Sequence, residues 1–202
     1  MTQLQEIRQE RSRDRASVLW WIVLLAGLGG TALTTVQIME KVAILKDPAT
    51  HLACDVNSVL SCSNVLLSWQ ASVLGPPNAL IGAIMFTLLW SAALGRLLGS
   101  TLGTRHLALL WGLAVFFLCF ATWFMEQTAF SIGALCLWCI GITTMVVVIC
   151  ACLTRLGVRE GAFGRGGFGR WMVTVTHSGL DIIIWVGWWL VIAAMLVIGL
   201  AV

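Results

Sequence analysis

Seven cysteines stand in this chain, at positions 54, 62, 119, 136, 139, 150 and 152. A thiolate attacks disulfides and donates electrons, so paired cysteines are candidates for thiol–disulfide exchange. Cys136 and Cys139 form a C-L-W-C motif. In a helix, residues at i and i+3 share a face, and in the first turn the helix dipole stabilises a thiolate. Cys54 and Cys62 are separated by seven residues. Cys119, Cys150 and Cys152 lie inside long apolar runs, where a thiol is expected to serve as a small buried packing group.

The elements that position these thiols follow from composition. The chain has 202 residues, of which 59% are hydrophobic and 10% charged, with 11 Trp and no Tyr. A soluble domain is about 45–50% apolar and about 25% charged. Disorder, nucleic-acid binding and an ordinary soluble enzyme are thereby excluded, and lipid is the expected solvent. Charge-free apolar stretches recur at 18–39, Asn78–Gly95, Leu107–Met125, Leu135–Leu153 and Ile182–Val202. Each is long enough, or nearly so, to cross about 30 Å of hydrocarbon. The backbone must satisfy its own hydrogen bonds there, so these are helices. The first is expected to be a retained anchor, since it lacks the short core and small-residue cleavage site of a signal peptide.

Basic residues set the orientation. In a five-helix arrangement Arg8, Arg11, Arg13, Arg15, Arg96, Arg105, Arg155, Arg159, Arg165 and Arg170 fall on one side, and only Lys41 and Lys46 on the other. The expected topology has a cytoplasmic N-terminus and an exterior C-terminus. Residues 1–17 form a cytoplasmic segment. Residues 154–181 form a cytoplasmic linker, flexible where it is Gly- and Arg-rich (GAFGRGGFGR) and held near anionic lipid headgroups. The exterior loop 40–77 is long for a structureless connection, which points to function. Within it, Val59–Trp69 has the spacing of a short amphipathic helix lying on the membrane surface.

This topology sorts the cysteines by depth. Cys54, Cys62, Cys136 and Cys139 meet at one exterior level, in an oxidising compartment. Cys150 lies about 16 Å deeper than Cys139 at 1.5 Å per residue, too far to join them. A pair on a loop beside a pair fixed at a helix start suits relay of electrons from an outside protein to an acceptor in the membrane. Two disulfides serving only as staples are the plainest alternative. A four-cysteine zinc site fits less well, because the second half-site is C-x7-C and no His is placed to complete a mixed site; no metal is expected.

In this order, Cys54-x7-Cys62, Ser63, Val65, Ser68, Asn78-Ala-Leu-Ile-Gly82 and Cys136-Leu-Trp-Cys139 resemble the vitamin K epoxide reductase family, over roughly Val18 to Leu153. The form without an attached soluble domain is similar to the bacterial, actinobacterial branch. The resemblance implies an all-α membrane fold of five transmembrane helices. The first four, residues 18–153 with the exterior loop, bundle around a quinone, and the fifth, 182–202, packs outside. It implies that Cys136 and Cys139 are the active-site pair, with Cys139 facing the quinone and Cys136 exchanging with a loop cysteine. Cys54 and Cys62 would be the shuttle pair that meets the partner, and which of them contacts Cys136 stays open. Asn78 would hydrogen-bond a quinone carbonyl, and Ser68 would help hold the shuttle geometry near the site. Without the family, Asn78 reads as a helix cap, Ser68 as a surface serine, Trp69 and Trp138 as interfacial residues, and His51 and Asp55 as solvated loop residues.

One departure concerns substrate. Vertebrate relatives carry a tyrosine four residues after the CxxC, where this chain has Thr143. The shorter hydroxyl weakens the case for vitamin K epoxide and leaves quinone reduction untouched. The expected function is a membrane thiol:quinone oxidoreductase. It would reoxidise a separate exterior thioredoxin-fold protein and pass the electrons to a menaquinone-, ubiquinone- or vitamin K-type quinone of the membrane pool, supporting disulfide formation in exported proteins. The rivals are an epoxide reductase of a vitamin K cycle and a non-enzymatic subunit stapled by disulfides. A transporter is disfavoured because no ionisable residue falls in the bilayer middle of the first four helices.

Overall fold

The computed structural model describes the backbone of residues 2–57 and 59–201, and side chains from residue 16 to 199 except Ser58. The side chains of Arg8, Arg11, Arg13 and Arg15, and the expected last residue of the fifth span, Val202, fall outside the described residues. The elements of the described residues are helical: α1 (Thr2–Lys46), α2 (Cys62–Leu67), a 3-10 turn (Trp69–Ser72), α3 (Asn78–Leu97), α4 (Thr104–Gln127), α5 (Leu137–Arg159), α6 (Gly167–His177) and α7 (Leu180–Ala201). A π-helical turn, Thr128–Ile132, extends α4. Five of these helices are long and apolar enough to cross a membrane, over Ala16–Lys46, Asn78–Leu97, Thr104–Ile132, Leu137–Arg159 and Leu180–Gly199. Among the described residues no strand forms, and the one isolated bridge pairs Leu60 with Leu135.

The polar N-terminal segment continues α1 without a break. It contains neither Gly nor Pro and is rich in Gln, Glu and Arg, which are good helix formers. Further along, α1 packs closely on α3, and two small residues allow it. A Cβ on Gly27 would come within 2.6 Å of the Trp90 Cβ, and one on Gly30 within 2.4 Å of the Phe86 ring. Small residues let helix backbones approach in lipid, where packing contacts supply much of the association energy. On the other side α1 meets α5, α5 meets α4, and α7 lies against α4 and α5. Much of α7 turns apolar side chains outward, among them Ile183, Leu190, Val191 and Val197.

Two apolar clusters divide the bundle. The one nearer the basic end contains Trp20, Val23, Phe86, Leu89, Leu118, Ile149, Cys150, Cys152 and Leu153. The other, at the cysteine end, contains Cys54, Cys62, Val65, Leu66, Leu135, Cys136 and Cys139 with Ile192 and Leu196 of α7. The basic end is tied by Arg96–Glu160 at 2.8 Å and by Arg155–Asp181 at 2.5 Å, with the Asp181 carboxyl almost fully buried. The Gly/Arg-rich linker is more ordered than its composition suggests: α6 forms within it. Phe163 packs edge-on against Trp111 and Phe168 packs tilted against it, which seats this segment against α4.

The structure corrects one expected burial. Cys150 and Cys152 are buried, but Cys119 is exposed on the outer face of α4. Its neighbour Leu118 takes the inward position; a step of one residue turns about 100° around a helix.

Candidate functional site

The segment between α1 and α3 folds back over the cysteine end of the bundle. The short helix expected at Val59–Trp69 is split into α2 and the 3-10 turn. Val65 and Leu66 turn into the protein, while Leu67 and Trp69 stay exposed. The helix therefore rests its apolar face on the bundle instead of turning it wholly to lipid. Ser61 caps α2, its hydroxyl accepting from the Asn64 N–H at 3.4 Å. Lys41 Nζ donates to Ser72 Oγ at 2.7 Å and fastens the 3-10 turn to α1.

A single backbone bridge sets the registration of the two cysteine pairs. Leu135 N donates to Val59 O at 2.7 Å and Ser61 N to Leu135 O at 3.1 Å. Gly133, in the left-handed region at φ 67°, reverses the chain after the π turn so that Leu135 can reach the loop. Cys62 follows Ser61 and Cys136 follows Leu135, so the bridge carries both cysteines to the same place. Their sulfurs lie 3.3 Å apart. Cys62 is itself disulfide-bonded to Cys54, while Cys136 and Cys139 are free thiols. The outer pair is thus oxidised and the inner pair reduced. All four are buried, none more than 6% exposed.

Cys136 is the N-cap residue of α5, and Cys139 lies in its first turn. The structure supplies a partner for both that no motif announced. Gln37 of α1, 5% exposed, donates from Nε2 to Cys139 Sγ at 2.9 Å and to Cys136 Sγ at 3.5 Å. An amide N–H aimed at sulfur in an apolar interior favours the thiolate over the thiol. The hydrogen bond from the neighbouring Cys139 holds Cys136 below the ordinary thiol value, outweighing burial, which pushes it up; Gln37 adds to the lowering. Gln37 was detectable in principle, since a polar residue within a membrane span is a functional candidate. Its facing direction was not.

The outer pair has its own polar frame. Asp55 accepts from the Ser63 hydroxyl, from Ser63 N at 3.0 Å and from Leu52 N at 3.4 Å. It thereby clamps the segment after Cys54 to the start of α2. Burial pushes the Asp55 carboxyl up, but the hydrogen bonds from Ser63, Leu52 and Ser61 outweigh it and hold the group below its usual value. Asp55 is a structural clamp here and not merely a solvated loop residue, whereas His51 is exposed. Glu40 Oε2 lies 3.6 Å from Cys54 Sγ. Its carboxylate and the two loop sulfurs fall within 4.8 Å of one another, but sulfurs bonded to each other offer no thiolate pair to a metal.

On its other side Cys139 borders a cavity lined by Thr34, Gln37, Asn78, Phe86, Phe124 and Thr143, among others. The open volume is about 70 Å³, below the roughly 300 Å³ of an ordinary small-molecule site, so a ring can enter only as the lining side chains part. A larger groove of about 390 Å³ lies between α1, α5 and α7 near Arg155 and Asp181. It borders neither active-pair cysteine, whereas the smaller cavity, and a space of about 40 Å³ beside it lined by Gln37, Lys41 and Asn78, both border Cys139. Asn78 begins α3, but Pro77 holds the cap position and no side-chain cap forms there. Instead Asn78 Nδ2 donates to Gln70 O at 2.6 Å, and Asn78 Oδ1 is buried without a partner. An unpaired buried acceptor at a cavity edge fits a ligand hydroxyl, and the second Nδ2 hydrogen fits a carbonyl. The Thr143 hydroxyl donates to Cys139 O at 2.9 Å and is spent on its own helix. Ser68 does not join the site. It ends α2 with its hydroxyl on Val65 O at 2.7 Å, and it does not line the cavity.

A disulfide thus touches a thiol pair, and that thiol pair touches a cavity inside a helical bundle. Residues 20–154 match the family model described as the vitamin K epoxide reductase family. No curated protein matches the chain.

Proposed function

The chain belongs to the vitamin K epoxide reductase family, and from that premise we propose that its thiol:quinone oxidoreductase activity runs as a relay from a separate exterior thioredoxin-fold protein, through Cys54–Cys62 and then Cys136–Cys139, to a quinone at the Asn78 cavity. The observation that carries this reading is the 3.3 Å contact between Cys62 and Cys136. It favours Cys62 as the loop cysteine that exchanges with Cys136, leaving Cys54 to meet the partner.

In this reading the partner's thiolate attacks Cys54 and frees Cys62, which attacks Cys136 of the oxidised inner pair and releases Cys139 as a thiolate. The partner's second thiol then attacks the partner–Cys54 mixed disulfide, so that the partner leaves oxidised and Cys54 is freed. Exchange back to Cys54–Cys62 leaves Cys136 and Cys139 reduced, which is the arrangement the structure holds. Gln37 then stabilises negative charge on the sulfur facing the cavity. Asn78 orients the ring through its free amide hydrogen and its unpartnered Oδ1. A bound quinone accepts two electrons and two protons and leaves as a quinol. Ser68 supports the shuttle from the end of α2, through the helix it terminates.

The Thr143 hydroxyl, bonded to Cys139 O, offers no free donor to an epoxide oxygen, which favours quinone over epoxide reduction. We place the N-terminus in the cytoplasm and the cysteine end outside a bacterial cell membrane. Arg96 and Arg155 lie together at the other end of the bundle, as the positive-inside rule requires.

The test is anaerobic quinone reduction by the purified protein, with a reduced thioredoxin-fold donor. The wild type should yield one quinol per dithiol oxidised. Cys139→Ala should abolish turnover in folded protein and leave a Cys62–Cys136 bond in non-reducing peptide maps. Full activity of Cys139→Ala would falsify the mechanism, because no other thiol borders the cavity.

A further inference from the structure

Glu40 has no part in the relay described so far, and its carboxyl group reaches the Cys54 sulfur of the shuttle disulfide, while the Cys136 thiol reaches Cys62. It sits one turn beyond Gln37 on α1, and i and i+3 share a helix face. The same face therefore presents a neutral amide to the inner thiols and a carboxyl group to the outer pair. Glu40 Oε2 is 3.6 Å from Cys54 Sγ. Cys54 is 2% exposed, so a proton leaving its thiol passes to a neighbouring group before it reaches water.

The other charged and titratable groups nearby are occupied or turned elsewhere. Asp55 accepts from Ser63 and Leu52. Lys41, the next residue on α1, donates to Ser72. Cys139 of α5 faces Gln37 and the cavity. The Trp138 indole lies beside the Glu40 carboxyl without closing a hydrogen bond, and its buried Nε1 has no partner. It is an N–H donor available to Glu40 in its charged form. Glu40 itself is half-buried at the cysteine end, with a path to water that Cys54 lacks.

We propose that Glu40 is the proton carrier of the shuttle pair, taking the proton from Cys54 when Cys54 attacks and returning it when Cys54 leaves. This rests on the relay order given above. With Cys62 bonded to Cys136, Cys54 is a thiol. Its proton moves to the Glu40 carboxylate, and the Cys54 thiolate attacks Cys62 Sγ. The Cys54–Cys62 bond forms, the Cys62–Cys136 bond breaks, and the electron pair leaves on Cys136 as a thiolate. One disulfide and one thiolate enter and leave the step, so no redox change occurs within it. The electrons come from the dithiol partner and go to the quinone. Glu40 returns the proton when Cys54 is next released as a thiolate from the partner's mixed disulfide.

The experiment follows reduction of Cys136–Cys139 in the full-length protein. Fully oxidised protein is mixed with reduced thioredoxin, quenched with an alkylating reagent and mapped by mass spectrometry across the neutral pH range. Loss of the general base in Glu40→Gln should slow the step about 100-fold and make its rate rise about tenfold per pH unit, since the thiolate must then come from solvent. Glu40→Asp keeps a carboxyl and should keep the shallow pH dependence, at a reduced rate, so the proposal stays testable even if Glu40→Gln does not fold. A wild-type rate and slope in Glu40→Gln would overturn the proposal. Equal losses in Glu40→Gln and Glu40→Asp with an unchanged slope would assign Glu40 a structural role and also overturn it. Absence of any Cys62–Cys136 species from wild-type maps would overturn the relay order itself. Its presence with unaltered Glu40→Gln kinetics overturns the Glu40 assignment alone.

Discussion

Helix α5 carries two pairs of cysteines, and both pairs are buried. Cys136 and Cys139 stand at its first turn; Cys150 and Cys152 stand three turns deeper. Cys136 and Cys139 touch an amide N–H, a disulfide and a cavity. Cys150 and Cys152 sit in a cluster of Val, Leu, Ile and Phe side chains. The two pairs differ in their polar surroundings and not in burial: Cys152 borders a separate groove beside Arg155, away from the Asn78 cavity. Burial disfavours the thiolate, and a hydrogen-bond donor or the helix N-terminus offsets that penalty.

The comparison breaks if Cys150 and Cys152 prove to matter for turnover. Cys136→Ala should lower quinone reduction from a protein thiol donor by at least about 1,000-fold, the scale on which removing a covalent participant acts. Cys150→Ala and Cys152→Ala should retain activity within about twofold and destabilise the fold by about 1 kcal/mol each through the cavities they leave. Turnover assays set beside thermal melts check both sides. Loss of turnover in folded Cys150→Ala protein would end the distinction.

Gln37 sharpens it. A hydrogen bond to a charged group is worth about 1.5–3 kcal/mol, so Gln37→Leu should cut quinone reduction about 10- to 100-fold. The sign of the pH effect follows from Cys136, whose thiol is held low partly by Gln37. Without that donor the thiolate forms at higher pH, and the pH profile of Cys136 alkylation should move in the alkaline direction. A purely structural role for Gln37 would lower the melting temperature and leave that profile in place.

The smallest effect is expected in the loop. Asp55 is held below its unfolded-state value, so its contribution is present at neutral pH and is lost as pH falls through the folded-state value. Asp55→Asn should leave chemistry at the inner pair intact and raise amide exchange in the segment around Cys54 at neutral pH. In acid, wild type and variant should converge. Divergence that grows in acid would mean that Asp55 does not clamp the loop through its charged form.

Much of the architecture was legible from residues alone. Apolar runs at Asn78–Gly95 or Leu135–Leu153 must be helices because lipid supplies no hydrogen bonds to a bare backbone. Spacing along a helix is local, so the depth of Cys150 relative to Cys139 followed from counting. Pair membership was readable for the same reason, since Cys136 and Cys139 are three residues apart on one helix. The direction a helix face points was not. Cys119 turned outward, and Gln37 and Glu40 turned inward, because the rotation of each helix depends on what packs against it. The ordered segment around Phe163 and Phe168 likewise depends on Trp111, a residue about fifty positions earlier in the chain.

What the sequence determined by itself, then, is the solvent, the helices, and the two cysteine pairs at one level, all of which arise from composition and local spacing. What only the tertiary structure decided is contact between the pairs. The Leu60–Leu135 bridge brings Cys62, and not Cys54, against Cys136, and the rotation of α1 puts Gln37 and Glu40 on the sulfurs. These contacts join residues that are 14 to 102 positions apart. Pairing at such range is set by the packed geometry of the whole bundle, so no local pattern in the chain could encode it on its own.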